Sequence, residues 1–550
     1  MRTISVPKYE QAHIDMTSAS SITLPNTPHA DDGEISSLKD QIEQFVEAHL
    51  PHEPTIPKTT KVVHDGLWGT IRLSPAEIAF IDTPLVQRLR SIAQTGPAYF
   101  VYPSTRHSRF EHSLGVMLQV QRLADALRQE EAGKKQLNDE NVAQMRFGAL
   151  FHDVGHGPFS HTSEVVYGAH PALQALRKLY GNFGSPHEIL SRLIVESKPF
   201  KLFADKVAQK SGIPNLNIDM IARAITGQQP VSLEEKFVSE LLNGPFDADK
   251  LDYFFRDSHF SGIPLAVDVE RLLRTVRIVP VEKEGGAKRL VVSHGGAGTL
   301  EQILFAKMVL HTSVYQHHKI RSFECLFHGM IEYIQRCREH KSIPVPLRNR
   351  RMTFESPVDY LWTTDETFRH YGFLLDDSSG SIDGPLHRMV HGLYFRRPLV
   401  RALVLSEHTV KKNDSVYWKD LLCLDRKYDI MAHQSRREIA KEILQRANVY
   451  CLPEEVWLDL PALPNSTAAN DIYVAMPGSR ESNADLLTLN ELFPLETWVG
   501  QYGQNKWRGH VFCPREVVEP ISRAAKTYFE EKYGVIIKRE AFDWCKQTPP

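Results

Sequence analysis

The chain has 550 residues, of which 42% are hydrophobic and 24% are charged, a composition typical of a globular protein with two to four domains. Its 65 basic residues nearly balance its 67 acidic ones, and the formal net charge of -2 argues against an overall field that draws the chain onto nucleic acid or anionic lipid. Six scattered cysteines without a CxxC pair exclude a zinc knuckle built from such pairs and favour a reducing compartment.

The N-terminal segment predicts little regular structure. Residues 1 to about 33 mix Ser, Thr, Pro, His and Asp without periodicity, and SLKDQIEQFVEAHL then predicts one short amphipathic helix before the Pro-rich PHEPTIPK. We therefore expect a poorly ordered arm with a short helix over residues 1–61. Neither a signal peptide nor an apolar run long enough for a bilayer is visible, so we expect a cytoplasmic protein without membrane contact.

The rest of the chain predicts a mainly α fold with a smaller α+β region at its C-terminal end. Helical spacing dominates from Leu73 to about Val279, RIVPVEKEGGAKRLVVSH predicts a strand pair, and the following segment up to REH predicts one or two long helices. We expect one helical domain over 62–345. Beyond it, over 346–550, strand-like VWLDLP, IYVAM and RGHVF lie between the helical segments RREIAKEILQRA and EPISRAAKTYFEEKYG.

Three separate segments contain the candidate metal-binding residues. They are FEHSLG, FHDVGHGPFSH and DADKLDYFFRD, which contain His112, the pair His152-Asp153, and Asp249. Two imidazoles and two carboxylates suit a divalent metal that processes phosphate, because nitrogen ligands fix the ion while oxygen ligands tune its charge.

The residues around these segments decide how strongly they indicate a metal site. A His-Asp dipeptide alone is weak evidence for such a site, and His64-Asp65 is a second example in this chain. The glycines and proline after His152-Asp153, however, forbid regular helix where ligands would face a cavity. Asp249, Tyr253 and Asp257 recur every four residues and so share a helix face, although a solvated helix surface explains that spacing equally well.

Together with DTPLVQRLRSIAQTG, these segments resemble the HD-domain deoxynucleoside triphosphate triphosphohydrolases over roughly residues 62 to 320. The resemblance implies a helical HD core, a homo-oligomer, and a metal held by His112, His152, Asp153 and Asp249. The ligand types leave the ion open among Mn, Fe, Zn, Co, Ni and Mg.

The resemblance also implies roles for other residues. His187 would protonate the leaving group, Glu164 would orient it, and His161 would assist this chemistry and meet the phosphates. The implied substrate contacts are Gln94, Arg109, Lys250, Tyr253, Asp257, Lys307, His311, Tyr315 and Gln316. Without the resemblance, Tyr253 could be a core aromatic, His187 a helix-start residue and YQHHK a polar helix end.

Two features depart from the family pattern. Lys307 stands where the nearest eukaryotic members have an arginine, which weakens the inference of triphosphate binding because an ammonium lacks the bidentate fork. Asp82, Gln87, Arg90 and Arg271 match effector positions, but Ser293 and Gly295 replace expected basic residues. For DTPLVQRLR we favour a structural role, with Thr83 capping a helix and the arginines pairing locally.

The sequence therefore favours metal-dependent hydrolysis of a deoxynucleoside triphosphate to deoxynucleoside and inorganic triphosphate. Two alternatives stay open. One is an HD nucleotidase or phosphodiesterase, because the metal site alone does not determine how many phosphates the substrate carries. The other is a nucleotide-binding regulatory protein with a vestigial site.

Overall fold

The computed structural model describes residues 32–546, except 229, 231, 233–234, 338–342, 346–349, 370–383, 412–420, 422–423, 425–428, 463–469 and 478–485. The first 31 residues of the predicted arm lie outside the described residues. Helices dominate the described chain, and the strands form small sheets. The predicted mainly α fold with a smaller α+β region is confirmed.

The helices run in chain order as follows: α1 Asp32–His49, α2 Pro75–Ile81, α3 Pro84–Gln87, α4 Arg109–Leu127, α5 Glu131–Gln136, α6 Asp139–Phe151, α7 His161–Tyr167, α8 Pro171–Leu179, α9 Pro186–Glu196, α10 Lys198–Ser211, α11 Ile218–Thr226, α12 Lys236–Glu240, α13 Ala248–Ser261, α14 Val269–Thr275, α15 Ala297–Leu310, α16 His318–Arg336, α17 Pro357–Leu361, α18 Gly384–Tyr394, α19 Ile430–Ala447, α20 Leu489–Leu492, α21 Leu495–Lys506, α22 Val518–Tyr533 and α23 Glu540–Lys546.

The strands are β1 Lys61–Asp65, β2 Gly69–Leu73, β3 Val276–Val281, β4 Ala287–Ser293, β5 Ile343–Val345, β6 Arg350–Met352, β7 Val400–Leu405, β8 Val410–Lys411, β9 Trp457–Asp459, β10 Tyr473–Ala475, β11 Leu486–Thr488, β12 Gly509–Cys513 and β13 Ile536–Ile537. The predicted strand pair is the antiparallel β3–β4 hairpin. The strand-like C-terminal segments form β9, β10 and β12, as the alternating patterns predicted.

Helix α1 belongs to the main hydrophobic core. Its apolar face buries Leu38, Ile42, Phe45 and Val46, and the Phe45 ring meets Trp362 edge to face at 5.3 Å. An amphipathic helix gains stability by covering such a face, so packing orders it although the flanking sequence is polar. The core therefore reaches upstream of Val62, where the sequence predicted that the first domain begins.

The C-terminal half also shares this core. Helix α18 packs on α16, and strand β10 joins the β3–β4 hairpin in parallel, with Val474 opposite Val292. A second core lies between the sheet β7–β12–β9 and helices α19 and α22. Described residues on both sides of the predicted boundary between 345 and 346 thus share one apolar core.

The DTPLVQRLR segment differs from its predicted structure in two details. Thr83 does precede α3, but its hydroxyl donates back to the Phe80 carbonyl at 2.6 Å and makes no cap bond. Arg90 pairs locally, donating to Gln87 at 2.7 Å, whereas Arg88 does not. The half-buried Arg88 reaches across the fold and donates to carbonyls of a distant loop.

Candidate metal centre and active site

Four side chains predicted to hold a metal converge at one point. His112 projects from the first turn of α4, His152 and Asp153 follow the end of α6, and Asp249 lies in the first turn of α13. His112 Nε2 lies 2.9 Å from Asp249 Oδ1, 3.3 Å from His152 Nε2 and 3.7 Å from Asp153 Oδ2, and His152 Nε2 lies 3.8 Å from Asp249 Oδ1. These four residues are hereafter the HD cluster.

Both imidazoles present Nε2 to this point because Nδ1 is occupied elsewhere. His152 Nδ1 donates to the Ala149 carbonyl at 2.7 Å, and His112 Nδ1 meets Asp252 Oδ2 at 2.7 Å. Metal-binding histidines are oriented in this way, with the second nitrogen held by a carbonyl or carboxylate. The donor atoms of His112, His152 and Asp153 form a group that could hold a divalent metal, as the sequence predicted, while the role of Asp249 as a fourth ligand stays a prediction.

Opposite charges set the protonation of the HD cluster. Burial works to lower the pKa of His112, but hydrogen bonds to Asp249 and Asp252 outweigh it and raise that pKa to about 9. Burial likewise opposes ionisation of Asp153, yet Arg109 and the nearby imidazoles hold the pKa of this carboxyl well below its usual value. A cation bound here would replace the proton on His112.

Asp252, which the sequence analysis missed, anchors the HD cluster from behind. Its carboxylate is fully buried and accepts hydrogen bonds from Trp68 Nε1 at 2.6 Å and from Arg256 at 2.8 and 2.9 Å, besides its contact with His112. The signal was its position three residues after Asp249 on the same helix. A Cβ on Gly115 would lie 1.9 Å from Asp252 Oδ1, so only glycine fits there.

Asp65, from the second His-Asp dipeptide, supports the same anchor. Its Oδ2 accepts from Arg256 Nη1 at 2.9 Å, and its Oδ1 accepts from the Leu67 and Trp68 amides. His64-Asp65, which no sequence pattern indicated to lie near the metal site, therefore contributes one buried carboxylate behind the HD cluster.

Close packing fixes the loop after His152-Asp153. Arg88 donates to the Val154 and His156 carbonyls at 3.0 and 2.6 Å. A Cβ on Gly155 would lie 2.2 Å from the His187 carbonyl oxygen, which explains the glycine at this position. The loop and the first turn of α9 are therefore held together, which brings His187 beside the HD cluster.

Glu164 lies fully buried at the centre of a group of imidazoles. Its Oε1 lies 2.7 Å from His161 Nδ1, 2.9 Å from His187 Nδ1 and 3.5 Å from His156 Nδ1. His187 Nε2 points the other way and lies 3.7 Å from Asp153 Oδ1. The structure therefore brings the predicted acid pair, His187 and Glu164, to the edge of the HD cluster.

The charges of this group support an ionised Glu164 beside a protonated His187. Burial opposes both charges, but the interaction of Glu164 with His187 and His161 holds the pKa of the carboxyl well below its usual value. The same carboxylate raises the pKa of the buried His187 above its usual value. Burial and the positive charge of Arg109 lower the pKa of His156, so this ring is neutral.

A cavity of about 550 Å³ opens above the HD cluster. This volume is in the range of small-molecule sites in proteins. Thirteen of the sixteen predicted site residues line it: Gln94, Arg109, His152, Asp153, His161, His187, Asp249, Tyr253, Asp257, Lys307, His311, Tyr315 and Gln316. His112 and Glu164 lie buried beneath its wall, in contact with lining residues.

Lys250 does not line the cavity. Its Nζ donates to Asp247 Oδ2 at 2.5 Å and to the Gly244 carbonyl at 2.8 Å, so the ammonium caps its own helix start and is not presented to phosphate. Arg109 lines the cavity, but its guanidinium is bonded to Asp153 at 2.9 Å and to Ser160 at 2.8 Å. Both residues were predicted to contact phosphate, and in the structure each is paired with a carboxylate instead.

Tyr315 and Asp257 meet inside the cavity. Tyr315 Oη donates to Asp257 Oδ2 at 2.5 Å, and the other carboxylate oxygen lies 2.8 Å from His107 Nε2. The sequence analysis missed His107, which lies in the HSRFEH run and is buried. Tyr315 ends a π-helical turn between α15 and α16, and this irregular turn directs the ring toward Asp257.

The C-terminal region forms part of the cavity wall, which sequence patterns did not predict. Lining residues from beyond position 345 include His433, Arg437, Trp457, Asp459 and Pro461. Gln316 Nε2 donates to the Ala462 carbonyl at 2.7 Å and so joins the two halves at the cavity rim.

The candidate effector positions make local contacts. Asp82 pairs with Lys61 at 3.4 Å on the surface, and Arg271 Nε donates to the Gly295 carbonyl at 2.8 Å. No helix in the described part of the chain is both long and apolar enough to cross a membrane.

Comparison with known proteins identifies the domain. Residues 109–240 match the HD domain family, and residues 267–344 match an HD associated region. The chain is 32% identical over 303 residues to the human deoxynucleoside triphosphate triphosphohydrolase SAMHD1, which covers 52% of this chain and 45% of that protein. The resemblance to HD-domain proteins of the triphosphohydrolase type is therefore confirmed.

Two microbial proteins are similar to the same extent. The uncharacterized protein MJ1154 of Methanocaldococcus jannaschii is 30% identical over 264 residues, 48% of this chain and 47% of that protein. The uncharacterized protein YwfO of Bacillus subtilis is 31% identical over 248 residues, 45% of this chain and 49% of that protein. The chain thus spans about half the length of the curated relatives it matches.

Proposed function

We propose that this chain, which contains an HD domain related to that of the triphosphohydrolases, hydrolyses deoxynucleoside triphosphates to deoxynucleoside and inorganic triphosphate. The observation that carries this proposal is the position of the HD cluster beneath a cavity of about 550 Å³, with the His187–Glu164 pair at its edge. A cation and an acid beside one another are what cleavage at the α-phosphate needs.

The residues of the HD cluster fit a divalent metal ion. His112 and His152 would bind it through Nε2, with Asp153 and Asp249 supplying oxygen ligands. Such an ion supplies positive charge for the phosphate oxygens and activates water for attack on phosphorus. Asp252 keeps the Nε2 atom of His112 directed at the site.

His187 is the residue that donates the proton to the departing 5′-oxygen. Its Nδ1 is held by Glu164 at 2.9 Å, which leaves Nε2 facing the cavity side of Asp153. The carboxylate favours the protonated ring, so a proton is available on the nitrogen that faces the substrate. His161 shares the Glu164 carboxylate and lines the cavity, where it meets the phosphates.

The sugar is selected at the Tyr315–Asp257 pair. Gln94 and Asp257 hold the 3′-hydroxyl, and the Tyr315 ring beneath the ribose excludes a 2′-hydroxyl. His107 keeps Asp257 in position through its 2.8 Å contact. The remaining contacts to the nucleotide come from Tyr253, His311 and Gln316, which line the same cavity.

The triphosphate is bound by Arg109, Lys307 and Lys250. Lys307 lines the cavity, and burial together with the positive charge of Lys250 lowers the pKa of its ammonium. An anionic ligand would reverse that effect and favour the charged form. Lys250 would have to leave Asp247 in order to reach a phosphate.

The position of Lys250 favours a second candidate function, a nucleotidase or phosphodiesterase of the HD type. With Lys250 bonded to Asp247 and Arg109 bonded to Asp153, fewer cations are available for a long phosphate chain. Because a monophosphate or a phosphodiester carries less charge, it needs fewer of them.

Product analysis separates these functions. Purified protein is incubated with Mg²⁺, Mn²⁺ or Co²⁺ and each dNTP, rNTP, dNMP or bis-p-nitrophenyl phosphate, and the products are resolved by ion-exchange chromatography. The proposal requires inorganic triphosphate and deoxynucleoside from dNTPs, with loss of turnover in Asp249→Ala. Monophosphate release alone supports the nucleotidase, and nucleotide binding without turnover supports the vestigial regulator.

Glu164→Gln tests the proton donor separately from the metal site. The amide cannot favour the protonated form of His187, so triphosphate release should fall by about 10²- to 10⁴-fold while Mn²⁺ binding at the HD cluster stays that of wild type. Glu196→Gln, which changes a carboxylate on the same helix as His187 that pairs with Arg192 at 2.8 Å, is the matched control. Equal activity of Glu164→Gln and Glu196→Gln would contradict the role of Glu164.

We also propose a cytoplasmic homo-oligomer built on the helical core. Light scattering after size exclusion measures the mass relative to the 62.7 kDa chain. A monomer at all protein concentrations would contradict the oligomer.

A further inference from the structure

Beside the HD cluster lies a second group of potential metal ligands. It consists of His156, His161, Glu164 and His187, whose donor atoms all lie within 4.8 Å of one another. The Nδ1 atoms of the three histidines lie 2.7, 2.9 and 3.5 Å from the same oxygen, Glu164 Oε1. We call these four residues the histidine cluster.

Hydrogen bonding accounts for only part of this arrangement. Neither ring nitrogen of His156 makes a hydrogen bond of normal geometry to any residue that the structure describes, although the ring is fully buried. Buried polar atoms are nearly always paired, and since Nε2 has Asp153 Oδ1 at 3.2 Å, it is Nδ1 that calls for a ligand. Its Nδ1 faces Glu164, which is the centre of the histidine cluster.

The three imidazoles also lie closer together than hydrogen bonding to a carboxylate requires. The His156 and His187 rings stack with centroids 3.8 Å apart and an interplanar angle of 16°, and the His161 ring lies 5.1 Å from His156 at 81°. The donor atoms of all three rings and of Glu164 are near enough to reach one ion, which each imidazole would bind as a neutral ligand.

We propose that the histidine cluster is a second cation site, which takes a transition-metal ion of the Zn²⁺ or Co²⁺ class and whose occupation inhibits the hydrolysis. Three imidazole nitrogens and one carboxylate oxygen are donors of the types and number that zinc takes in its tetrahedral sites. Hard cations such as Mg²⁺ prefer oxygen ligands and would not compete for it.

The cavity offers a path to the histidine cluster. The His161 side chain is 53% exposed and lines the cavity, so an ion can enter from there without unfolding of the core. The other three side chains are at least nine-tenths buried and form the floor beneath it.

The inhibitory effect rests on the proposed function, because it acts through the proton donor. An ion at the histidine cluster would take His187 Nδ1 away from Glu164 and compensate the charge of that carboxylate. The ring would then lose the contact that holds its Nε2 toward the cavity side of Asp153. His156 also contacts the HD cluster, with Nε2 only 3.2 Å from Asp153 Oδ1, so the two sites are neighbours.

Cobalt titration of the intact chain tests the second site without any substrate. Equilibrium dialysis counts bound Co²⁺ per chain, and the visible absorption of Co²⁺ identifies a tetrahedral nitrogen-rich site. Wild type should bind two ions, Asp249→Ala one at the histidine cluster, and His161→Gln one at the HD cluster. His52→Gln, which removes an exposed imidazole outside both clusters, should still bind two.

Two results would overturn the proposal. One is a single Co²⁺ in wild type and none in Asp249→Ala, and the other is an unchanged count in His161→Gln. Because His161 is the exposed member, its variant should keep the far-UV circular dichroism of wild type. If that spectrum changes, the visible Co²⁺ absorption of Asp249→Ala and its number of bound Co²⁺ ions per chain test the second site instead.

Activity measurements then test inhibition. A second equivalent of Zn²⁺ should lower triphosphate release by at least about tenfold, the low end of the effect of losing a general acid. Unchanged release with two ions bound would contradict the inhibitory effect. If the chain releases no triphosphate at all, the proposed function fails while the cobalt count still decides whether the second site exists.

Discussion

Two ring nitrogens that face one another give the strongest argument for a cation in the HD cluster. His152 Nδ1 bonds to a carbonyl, which only accepts, so Nδ1 carries the hydrogen of this bond and Nε2 is directed at the HD cluster. This nitrogen lies 3.3 Å from His112 Nε2. The raised pKa of His112 places a proton in this gap when no metal is bound, and a divalent ion would take the position of that proton.

Asp252→Asn should weaken the metal site without unfolding the chain. The amide cannot fix the Nδ1 hydrogen of His112 as a carboxylate does, and loss of such an outer partner typically costs about 10- to 100-fold in metal affinity. Competition with a chelator of known affinity measures the change.

Asp125→Asn is the matched control, because Asp125 lies on the same helix as His112 but bonds only to surface glutamines. Its metal affinity should equal that of wild type. An Asp252→Asn protein with wild-type affinity would show that the buried carboxylate does not orient the ligand.

At the scale of single residues, sequence patterns predicted the metal ligands but not the residues that hold neighbouring side chains in position. The HD cluster residues stand in recognisable runs, and the structure brings them together. Asp252, Asp65 and His107 act through contacts between segments that lie far apart in the chain, 140 residues in the case of Asp252 and His112. No local pattern specifies such contacts.

At the scale of elements, one buried carboxylate clamps two loops that border the cavity. Asp365 Oδ2 accepts from the Ala93 amide at 3.0 Å and Oδ1 accepts from the Phe159 amide at 2.6 Å. These amides precede Gln94 and Ser160, of which the first lines the cavity and the second binds Arg109. Burial raises the pKa of Asp365 to about 7.

Asp365→Ala should therefore destabilise the chain by about 2–4 kcal/mol, since two buried amides would lose their acceptor. Urea unfolding followed by circular dichroism measures the change in the free energy of unfolding. Glu366→Ala, at an exposed neighbouring position, should stay within about 0.5 kcal/mol of wild type. A change of similar size in both variants would contradict the clamp.

His328 on α16 makes stability depend on pH. Burial lowers the pKa of its ring to about 3, and Nε2 donates to the Thr162 carbonyl at 2.8 Å. The unfolded chain binds a proton below pH 6.5 and the folded chain does not, so this contribution to stability is present above pH 6.5 and is lost as the pH falls toward 3.

His328→Gln should lessen that loss by up to about 1.4 kcal/mol per pH unit, the limit for a single group. Thermal unfolding midpoints between about pH 7 and about pH 5 are compared for wild type, this variant and the exposed His52→Gln. The same dependence on pH in all three proteins would exclude His328 as a source.

Sequence patterns predicted most elements of the helical core and the β3–β4 hairpin, because helical spacing and strand alternation are local properties. They failed where tertiary packing decides. The partner of β4 on its other edge is β10, which lies some 180 residues further along the chain. The π-helical turn before Tyr315 also has no sequence pattern distinct from that of an ordinary helix.

At the scale of the whole molecule, the two predicted domains share apolar surface. Helix α16 buries residues such as Phe323 and Leu326, and α18 from the C-terminal half covers them. A chain that ends at Val345 would expose this surface and lose part of the cavity wall, so it should show no cooperative thermal transition.

Calorimetry of that shortened chain measures the transition. A sharp transition together with wild-type metal binding would establish residues up to 345 as an independent domain, contrary to the continuous core. The Trp457 and Pro461 side of the cavity would then be dispensable for the metal site.

The central claim is that four side chains from α4, the loop after α6 and α13 bind one divalent cation. Anomalous X-ray diffraction from crystals grown with Mn²⁺, recorded above and below the metal absorption edge, tests it most directly. We predict one strong anomalous peak in contact with His112, His152, Asp153 and Asp249, and its loss in Asp249→Ala crystals. An ion elsewhere in the fold, with the HD cluster empty at saturating Mn²⁺, would contradict the claim.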